Sequence, residues 1–129
     1  MARSWVIIAA VNGFVAVSAG AFGAHALKDR LEPKLLNIFE VATRYQMYHA
    51  LAMLAAAWLI AQNPSRAATA SAYCFLFGIV LFCGSLYGLC LLQWRWLGPV
   101  TPIGGALFLA GWVLLGLAGC AMGTPSKGL

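Results

Sequence analysis

The stretch "ATRYQMYHALAMLAAAW" (residues 42–58) is the one on which the fold depends. Its first half carries polar side chains, among them Arg44, Gln46 and His49, and nine apolar residues without a charge follow the histidine. A helix of this length and its flanking turns can cross the hydrocarbon of a bilayer, which is about 30 Å thick. The stretch therefore raises the question of why polar groups enter a segment that otherwise suits lipid.

The composition of the whole chain also indicates that lipid surrounds most of its side chains. Of the 129 residues, 63% are hydrophobic and only 9% are charged, whereas a soluble domain has about a quarter charged residues. The net charge of +5 comes from eight Lys and Arg that lie near the ends of apolar segments. This distribution is typical of membrane topology signals and of contact with anionic headgroups, not of a phosphate-binding patch for nucleic acid. We expect membrane lipid as a partner and no nucleic acid.

Four apolar segments, at residues 4–27, 41–61, 67–92 and 102–122, are long enough to span a membrane. The connections between them are short, and apolar residues do not alternate at period two, so helices are the expected spanning elements. The first segment resembles a signal peptide, but its apolar run is long for that purpose, and we interpret it as a transmembrane helix. The sequence predicts an all-α integral membrane protein, a single domain over residues 1–129 that forms an antiparallel four-helix bundle.

The orientation follows from the positions of basic residues. The side that the first and third connections share carries Lys28, Arg30, Lys34, Arg44 and Arg95, and the opposite side carries Arg3, Arg66 and Lys127. Because loops rich in Lys and Arg stay in the cytoplasm, we expect the first loop to be cytoplasmic and both termini to lie outside.

Small residues are expected to hold the helices together, because association in lipid depends on close backbone approach and on interhelical hydrogen bonds. The first helix has a stripe of such residues, the third contains a GxxxG motif, and the fourth begins with "TPIGG". The residues to which we assign helix packing are Asn12, Ala16, Gly20, Gly23, Gly84, Gly88, Gly104 and Gly105.

The connection before the second span has an amphipathic pattern. From Pro33 onward, Lys34, Asn37, Glu40 and Arg44 recur at three- and four-residue spacing on one face, and apolar residues occupy the other. This pattern predicts a short amphipathic helical turn that lies at the membrane interface between helices 1 and 2. The i, i+4 spacing of its last two charges also favours an ion pair.

Polar groups gather where the second helix enters the membrane, and the hypothesis is that they form one intramembrane cluster. Its members are His25, Glu40, Arg44, Tyr45, Gln46 and His49. Ionisable groups within a membrane are candidates for function, but a neutral imidazole bonded to a neighbouring helix explains His49 equally well. If the ends of the first two helices are level, His49 lies opposite Ala19 and Gly20.

The sequence predicts no cofactor, no metal and no catalytic residue. With level helix ends, His25 and His49 differ by about six residues, or roughly 9 Å along the helix axis, which disfavours a haem shared between them. Neither the histidines nor the cysteines have metal-ligand spacing. The four cysteines lie in apolar segments and are expected to be buried thiols: Cys74, Cys83, Cys90 and Cys120. No GxSxG, HExxH or glycine-rich phosphate loop is present, so we do not expect an enzyme.

Four blocks of the chain resemble the domain of unknown function 423 family. They are "GAFGAHAL" (residues 20–27), "YQMYHALA" (45–52), "GSLY" (84–87) and "TPIGG" (101–105), the last followed by "GW" (111–112). Members of this family are small bacterial inner-membrane proteins that also resemble eukaryotic transmembrane protein 256. The resemblance implies a four-span protein of the bacterial plasma membrane. The family has no established activity, so the resemblance assigns no catalytic residues.

Three functions remain open at this point. The first is a non-enzymatic scaffold or accessory subunit that pairs with another membrane protein or forms a homo-oligomer, and the short loops and small-residue surfaces favour it. The alternative is a transporter or channel for a small solute or proton, with a polar vestibule around Arg44, Gln46 and His49. The third, an intramembrane enzyme that uses His49 or His25, is disfavoured because the acidic residues all lie in the first connection.

Overall fold

Four long helices make up the structure, a computed structural model that describes residues 1–123. The helices are α1 (Ala2–Leu27), α2 (Pro33–Gln62), α3 (Arg66–Leu91) and α4 (Val100–Cys120), with a short 3-10 turn at Arg95–Leu97. α1 ends in a π-helical turn at Gly23–Leu27, and α3 contains another at Ile79–Cys83. The described residues contain no β-strand, so the expected all-helical fold is confirmed. Lys127, which entered the charge count for orientation, lies outside the described residues.

The helix ends follow from local residue types. Pro33 is the first residue of α2, where the missing N–H costs nothing because that group has no partner within the helix. The Ser65 side chain caps α3 by accepting a hydrogen bond from the backbone N–H of Ala68 at 3.1 Å. Between α3 and α4, Gln93 adopts a left-handed conformation with φ of 54°, which ends the helical path. Short reversals therefore separate successive helices.

Three helical stretches in the described chain are long and apolar enough to cross a membrane: Ala2–Leu27, Arg66–Leu91 and Arg95–Cys120. They support three of the four expected spans. α2 is longer than any of them, at 30 residues, but it falls outside this group because its first half is polar. A crossing at residues 41–61 therefore stays a prediction.

α2 is nevertheless the most enclosed helix. It packs against α1 and α3, and α3 in turn packs against α4. The completely covered side chains of α2 and α3 are mostly small or unbranched, and they include Ala42, Met53, Ala56, Ala72 and Phe75. Such residues let helix backbones approach closely. The helix with the most polar residues thus has the largest share of its side chains covered by protein.

The start of α2 changes the expected register between the first two helices. The amphipathic turn from Pro33 and the span expected from residue 41 are one continuous helix. A Cβ at Gly23 would lie 2.8 Å from the Phe39 ring, and Asn12 bonds Gln46, so His49 is near the level of Ala9. The expectation that His49 faces Ala19 and Gly20 is wrong, because α2 begins eight residues earlier (41 − 33) than the apolar run suggested.

Several of the predicted packing residues lie at close contacts. Gly23 lies against Phe39, and a Cβ at Gly104 would collide with the backbone nitrogen of Phe82. Gly105 is looser, since its Cβ would lie 3.8 Å from the same phenylalanine ring. Because backbone atoms form the contact at Gly104, a side chain there cannot be accommodated by a rotamer change.

Other small residues have different surroundings. A Cβ at Gly20 or Gly84 would meet no atom within 4 Å, so no neighbouring helix of the described chain packs directly on these two glycines. Ala16 is buried. Two further glycines, Gly78 and Gly111, each lie against an aromatic ring of the facing helix, where α3 and α4 meet.

Candidate functional site

The side-chain amide of Gln46 is bonded at both ends to other helices. Its Nε2 donates to Asn12 Oδ1 of α1 at 3.1 Å, and the Tyr87 hydroxyl of α3 donates to its Oε1 at 2.7 Å. Because Asn12 Oδ1 can only accept a hydrogen bond, the amide nitrogen of Gln46 must face it, which determines the orientation of the amide. The amide of Asn12 donates in turn to the backbone carbonyl of Ile8 at 3.0 Å. We call Asn12, Gln46 and Tyr87 the Gln46 network.

The Gln46 network explains how one polar residue is carried into an apolar stretch. Gln46 is only 6% exposed, and a buried amide without hydrogen bonds would be costly in lipid or in a protein interior. The network satisfies both halves of the amide and joins α1, α2 and α3 at one point. These bonds give the polar group a structural role.

His49 contacts the fourth helix. Trp112 Nε1 donates to His49 Nε2 at 3.1 Å, and His49 Nδ1 lies 2.7 Å from the backbone oxygen of Tyr45. An indole N–H can only donate and a carbonyl can only accept, so the imidazole is neutral with its proton on Nδ1. The ring also stacks on Phe108, with centroids 3.5 Å apart and planes inclined by 6°. Both nitrogens of His49 are thus occupied by protein groups.

A cavity of about 660 Å³ lies beside His49, between α2 and α4. We call it the α2–α4 groove. It is lined by Tyr45, Tyr48, His49, Leu51, Ala52, Ala55, Phe82, Gly105, Phe108, Leu109 and Trp112. Since the imidazole is fully bonded, the groove offers an almost entirely apolar surface with aromatic walls.

The six residues of the predicted polar cluster separate into two groups. Gln46 and His49 are buried, whereas the other four are exposed: His25, Glu40, Arg44 and Tyr45. Arg44 Nε donates to the backbone carbonyl of Glu40 at 3.4 Å. The structure thus brings the predicted residues together only along α2, and a functional role for the cluster stays a hypothesis.

The partners of the two buried residues received no role in the sequence analysis. Tyr87 and Trp112 are the last residues of the blocks "GSLY" and "GW", and both donate hydrogen bonds to the block "YQMYHALA". In the same way, Ser85 of "GSLY" is bonded through its hydroxyl to Thr101 of "TPIGG". Residues of the blocks that carry the family resemblance therefore take part in contacts between helices. That Tyr87 and Trp112 fall within these blocks was the signal in the sequence, and it does not say which partner each of them has.

The cysteines form no disulfide, and no metal site is found among the described residues. All four cysteines are free thiols; Cys83 and Cys90 are buried, Cys74 is half-buried and Cys120 is exposed. Burial is thus confirmed for two of them and wrong for Cys120, which lies at the end of α4. Within residues 1–123, no group of three or more His, Cys, Asp or Glu side chains is arranged to hold a metal ion.

An all-helical fold with three long apolar helices, and with polar groups bonded between helices, defines a helical membrane protein. The chain belongs to the family described as "Protein of unknown function (DUF423)", whose pattern matches residues 19–105. The resemblance found in the sequence is thereby confirmed.

The relatives are themselves described as membrane proteins. The chain is 48% identical over 116 residues to a UPF0382 membrane protein of Staphylococcus epidermidis, covering 90% of this chain and 94% of the relative. It is 38% identical to the UPF0382 membrane protein YwdK of Bacillus subtilis, covering 90% and 95% respectively. A UPF0382 membrane protein of Haemophilus influenzae is 42% identical, with 89% and 92% covered. No solved structure matches the chain significantly. A membrane location is shown.

Proposed function

We propose that this protein is a non-enzymatic membrane protein that acts as a scaffold or accessory subunit, or that forms a homo-oligomer, in the bacterial inner membrane. The proposal depends on the observation that the hydrogen-bonding groups of Gln46 and His49 already have partners within the chain. Both side chains are bonded to neighbouring helices, so the buried polar groups of α2 hold the helices together. A catalytic acid–base group needs a free nitrogen within reach of a substrate, and His49 has none.

The architecture that we propose is an antiparallel bundle that crosses the membrane four times, with α2 as the fourth crossing. Its support is that the buried polar side chains of α2, Gln46 and His49, bond other helices, so that hydropathy underestimates how well this helix suits a membrane interior. We further propose that the first loop is cytoplasmic, that both termini lie outside, and that the first turns of α2 lie at the interface.

The outer face of α1 supports oligomer or partner formation. Gly13 and Gly20 are seven residues apart, hence on one face, and a Cβ at either would meet nothing within 4 Å. Phe14 on the same helix is 74% exposed. Glycines with open space at the Cβ position, beside a large aromatic side chain, are typical of surfaces that accept another transmembrane helix.

Photo-crosslinking in native membranes tests this proposal. A photoreactive phenylalanine at position 14 should give a covalent adduct with a second copy or with one discrete membrane protein, identified by mass spectrometry. Gly20→Leu should abolish the adduct because the added side chain blocks close approach. Gly116→Leu, at an equally open glycine of α4, is the matched control and should leave the adduct unchanged. Recovery of uncrosslinked monomer alone would contradict the proposal.

Transport of a small solute or proton is the second hypothesis, and the α2–α4 groove beside His49 is the observation in its favour. Four helices rarely enclose a water-filled path, so this function requires an oligomer. Purified protein in liposomes should then conduct protons or a small solute, and Arg44→Gln, at an exposed position, should reduce the flux. No flux above that of empty liposomes would exclude the hypothesis.

A further inference from the structure

We propose that the α2–α4 groove binds one acyl chain of an anionic phospholipid whose phosphate group pairs with Arg44. The inference is independent of the scaffold function. It concerns a surface that the helix contacts described above leave open, and it assigns the exposed arginine a partner.

The groove has the size and lining of a site for an apolar ligand. Its volume of about 660 Å³ falls within the range of about 300–1,000 Å³ that is typical of small-molecule sites. Aromatic rings from three helices form its walls: Tyr48 on α2, Phe82 on α3, and Phe108 and Trp112 on α4. These rigid rings keep the groove open. The imidazole of His49 needs no polar partner from a ligand, because both of its nitrogens are already bonded.

The groove is too narrow to enclose a whole helix of a second copy. From Gly105 to Trp112 it follows seven residues of α4, or about 10 Å, so a volume of about 660 Å³ gives a mean cross-section of about 60 Å². A helix with its side chains is 10–12 Å across, or about 80–110 Å². An acyl chain is much thinner than a helix. The dimensions therefore favour lipid.

A positive charge lies at one end of the groove. Arg44, Tyr48, Leu51 and Ala55 recur at four- and three-residue spacing and share one face of α2, and the last three line the groove. Arg44 directly precedes Tyr45, the first residue of α2 that lines the groove, and lies one turn before Tyr48 on the same face, where it is exposed. Its hydrogen bond to Glu40 uses Nε, which leaves both terminal amino groups to donate to phosphate oxygens.

The direction of the helices adds to this charge. Two chain reversals separate α2 from α4, so both helices run the same way, and the positive N-terminal end of α4 at Val100 points to the side on which Arg44 lies. The Glu40 carboxylate, one turn further out on the same face, opposes an anion. Its removal provides a variant that should strengthen binding.

Native mass spectrometry of the purified, delipidated protein tests the proposal. 1-Palmitoyl-2-oleoyl-phosphatidylglycerol and the corresponding phosphatidylethanolamine are added in turn, and the fraction of protein that retains one lipid is measured. We expect the anionic lipid to bind about tenfold more tightly, which is the effect of one charge-assisted phosphate contact. Arg44→Gln should remove this preference, and Glu40→Gln should increase it.

Occupation of the groove is tested separately. Ala55→Phe places a ring in the groove at an exposed position and should reduce retention of the anionic lipid about tenfold or more. Ala110→Phe, at an exposed alanine of α4 that does not line the groove, is the matched control and should bind as the parent does. Equal retention by both variants would overturn the proposal. A dimer that Ala55→Phe dissociates would also overturn it, since the groove would then be a protein interface.

Discussion

Arg44 and Gln46 lie two residues apart on α2, yet their surroundings differ completely. Gln46 is enclosed by α1 and α3, and both ends of its amide are bonded. Arg44 is exposed on the face that leads into the α2–α4 groove, and the one hydrogen bond of its side chain within the described residues goes to the backbone of its own helix. A rotation of about 200° around the helix separates the two side chains, and this rotation decides which polar group has a structural role and which is available to a ligand.

The comparison teaches that hydropathy alone misjudges α2. The helix is the least apolar of the four long ones because its first half carries polar residues, but the buried ones are directed at other helices. Polar groups of this kind act as interhelical links when their partners lie at the same depth. Three predictions probe the enclosed side of α2 and the helices that define the groove.

The largest effect is expected where α3 and α4 touch, because this contact positions the outer wall of the groove. Gly104→Ala places a Cβ against the backbone of Phe82 and should lower the free energy of unfolding by about 3 kcal/mol, as overpacking does. Unfolding in mixed micelles, by titration with sodium dodecyl sulfate and circular dichroism, provides the measurement. Gly116→Ala, where a Cβ meets nothing within 4 Å, is the control and should be neutral or slightly stabilising. Equal stability of the two variants would show that the helices are further apart than described.

The second prediction breaks the Gln46 network at its centre. Gln46→Leu removes the hydrogen bonds to Asn12 and Tyr87, and each such bond in a membrane protein contributes about 1 kcal/mol, so we expect a loss of about 2 kcal/mol in the same unfolding titration. Gln62→Leu, at the exposed last residue of α2, should leave the stability unchanged. If both substitutions were neutral, the network would contribute nothing to stability, and the proposed structural role of Gln46 would be wrong.

The smallest effect is expected from the removal of a single hydroxyl group, compared between the enclosed and the open side of α2. Tyr87→Phe removes the O–H that donates to Gln46 and should cost about 1 kcal/mol of the free energy of unfolding. Tyr48→Phe removes a hydroxyl from an exposed tyrosine at the groove and should cost nothing measurable. Thermal unfolding of both variants in one detergent provides the comparison, and an equal loss for both would remove the distinction between the enclosed and the open side.

Much of the fold could be predicted from the sequence, because helix formation in apolar segments depends on the chain itself. Three of the four expected spans coincide with α1, α3 and α4 to within two residues at each end. The start of α2 could not be predicted from hydropathy, since the turns from Pro33 are amphipathic and only the structure shows them joined to the apolar part. That shift by eight residues (41 − 33) changed which residues of α1 lie beside His49.

The candidate site was predictable only in part. Gln46 and His49 could be singled out because polar residues are rare in such segments, and the structure places both at helix contacts. Their partners Tyr87 and Trp112 could not, since an aromatic residue in an apolar helix is ordinary and nothing in one sequence says which helix face it occupies.

By itself, the sequence determined that lipid surrounds most of the chain, that the chain is helical, and which polar residues require partners. These results follow from the composition and from the rule that backbone groups in lipid must bond within the chain. Only the tertiary structure decided which partner each polar group has and where the groove lies. The reason is physical: side chains that bond Gln46 and His49 are 34, 41 and 63 residues away along the chain, and distances of that kind depend on how whole helices pack.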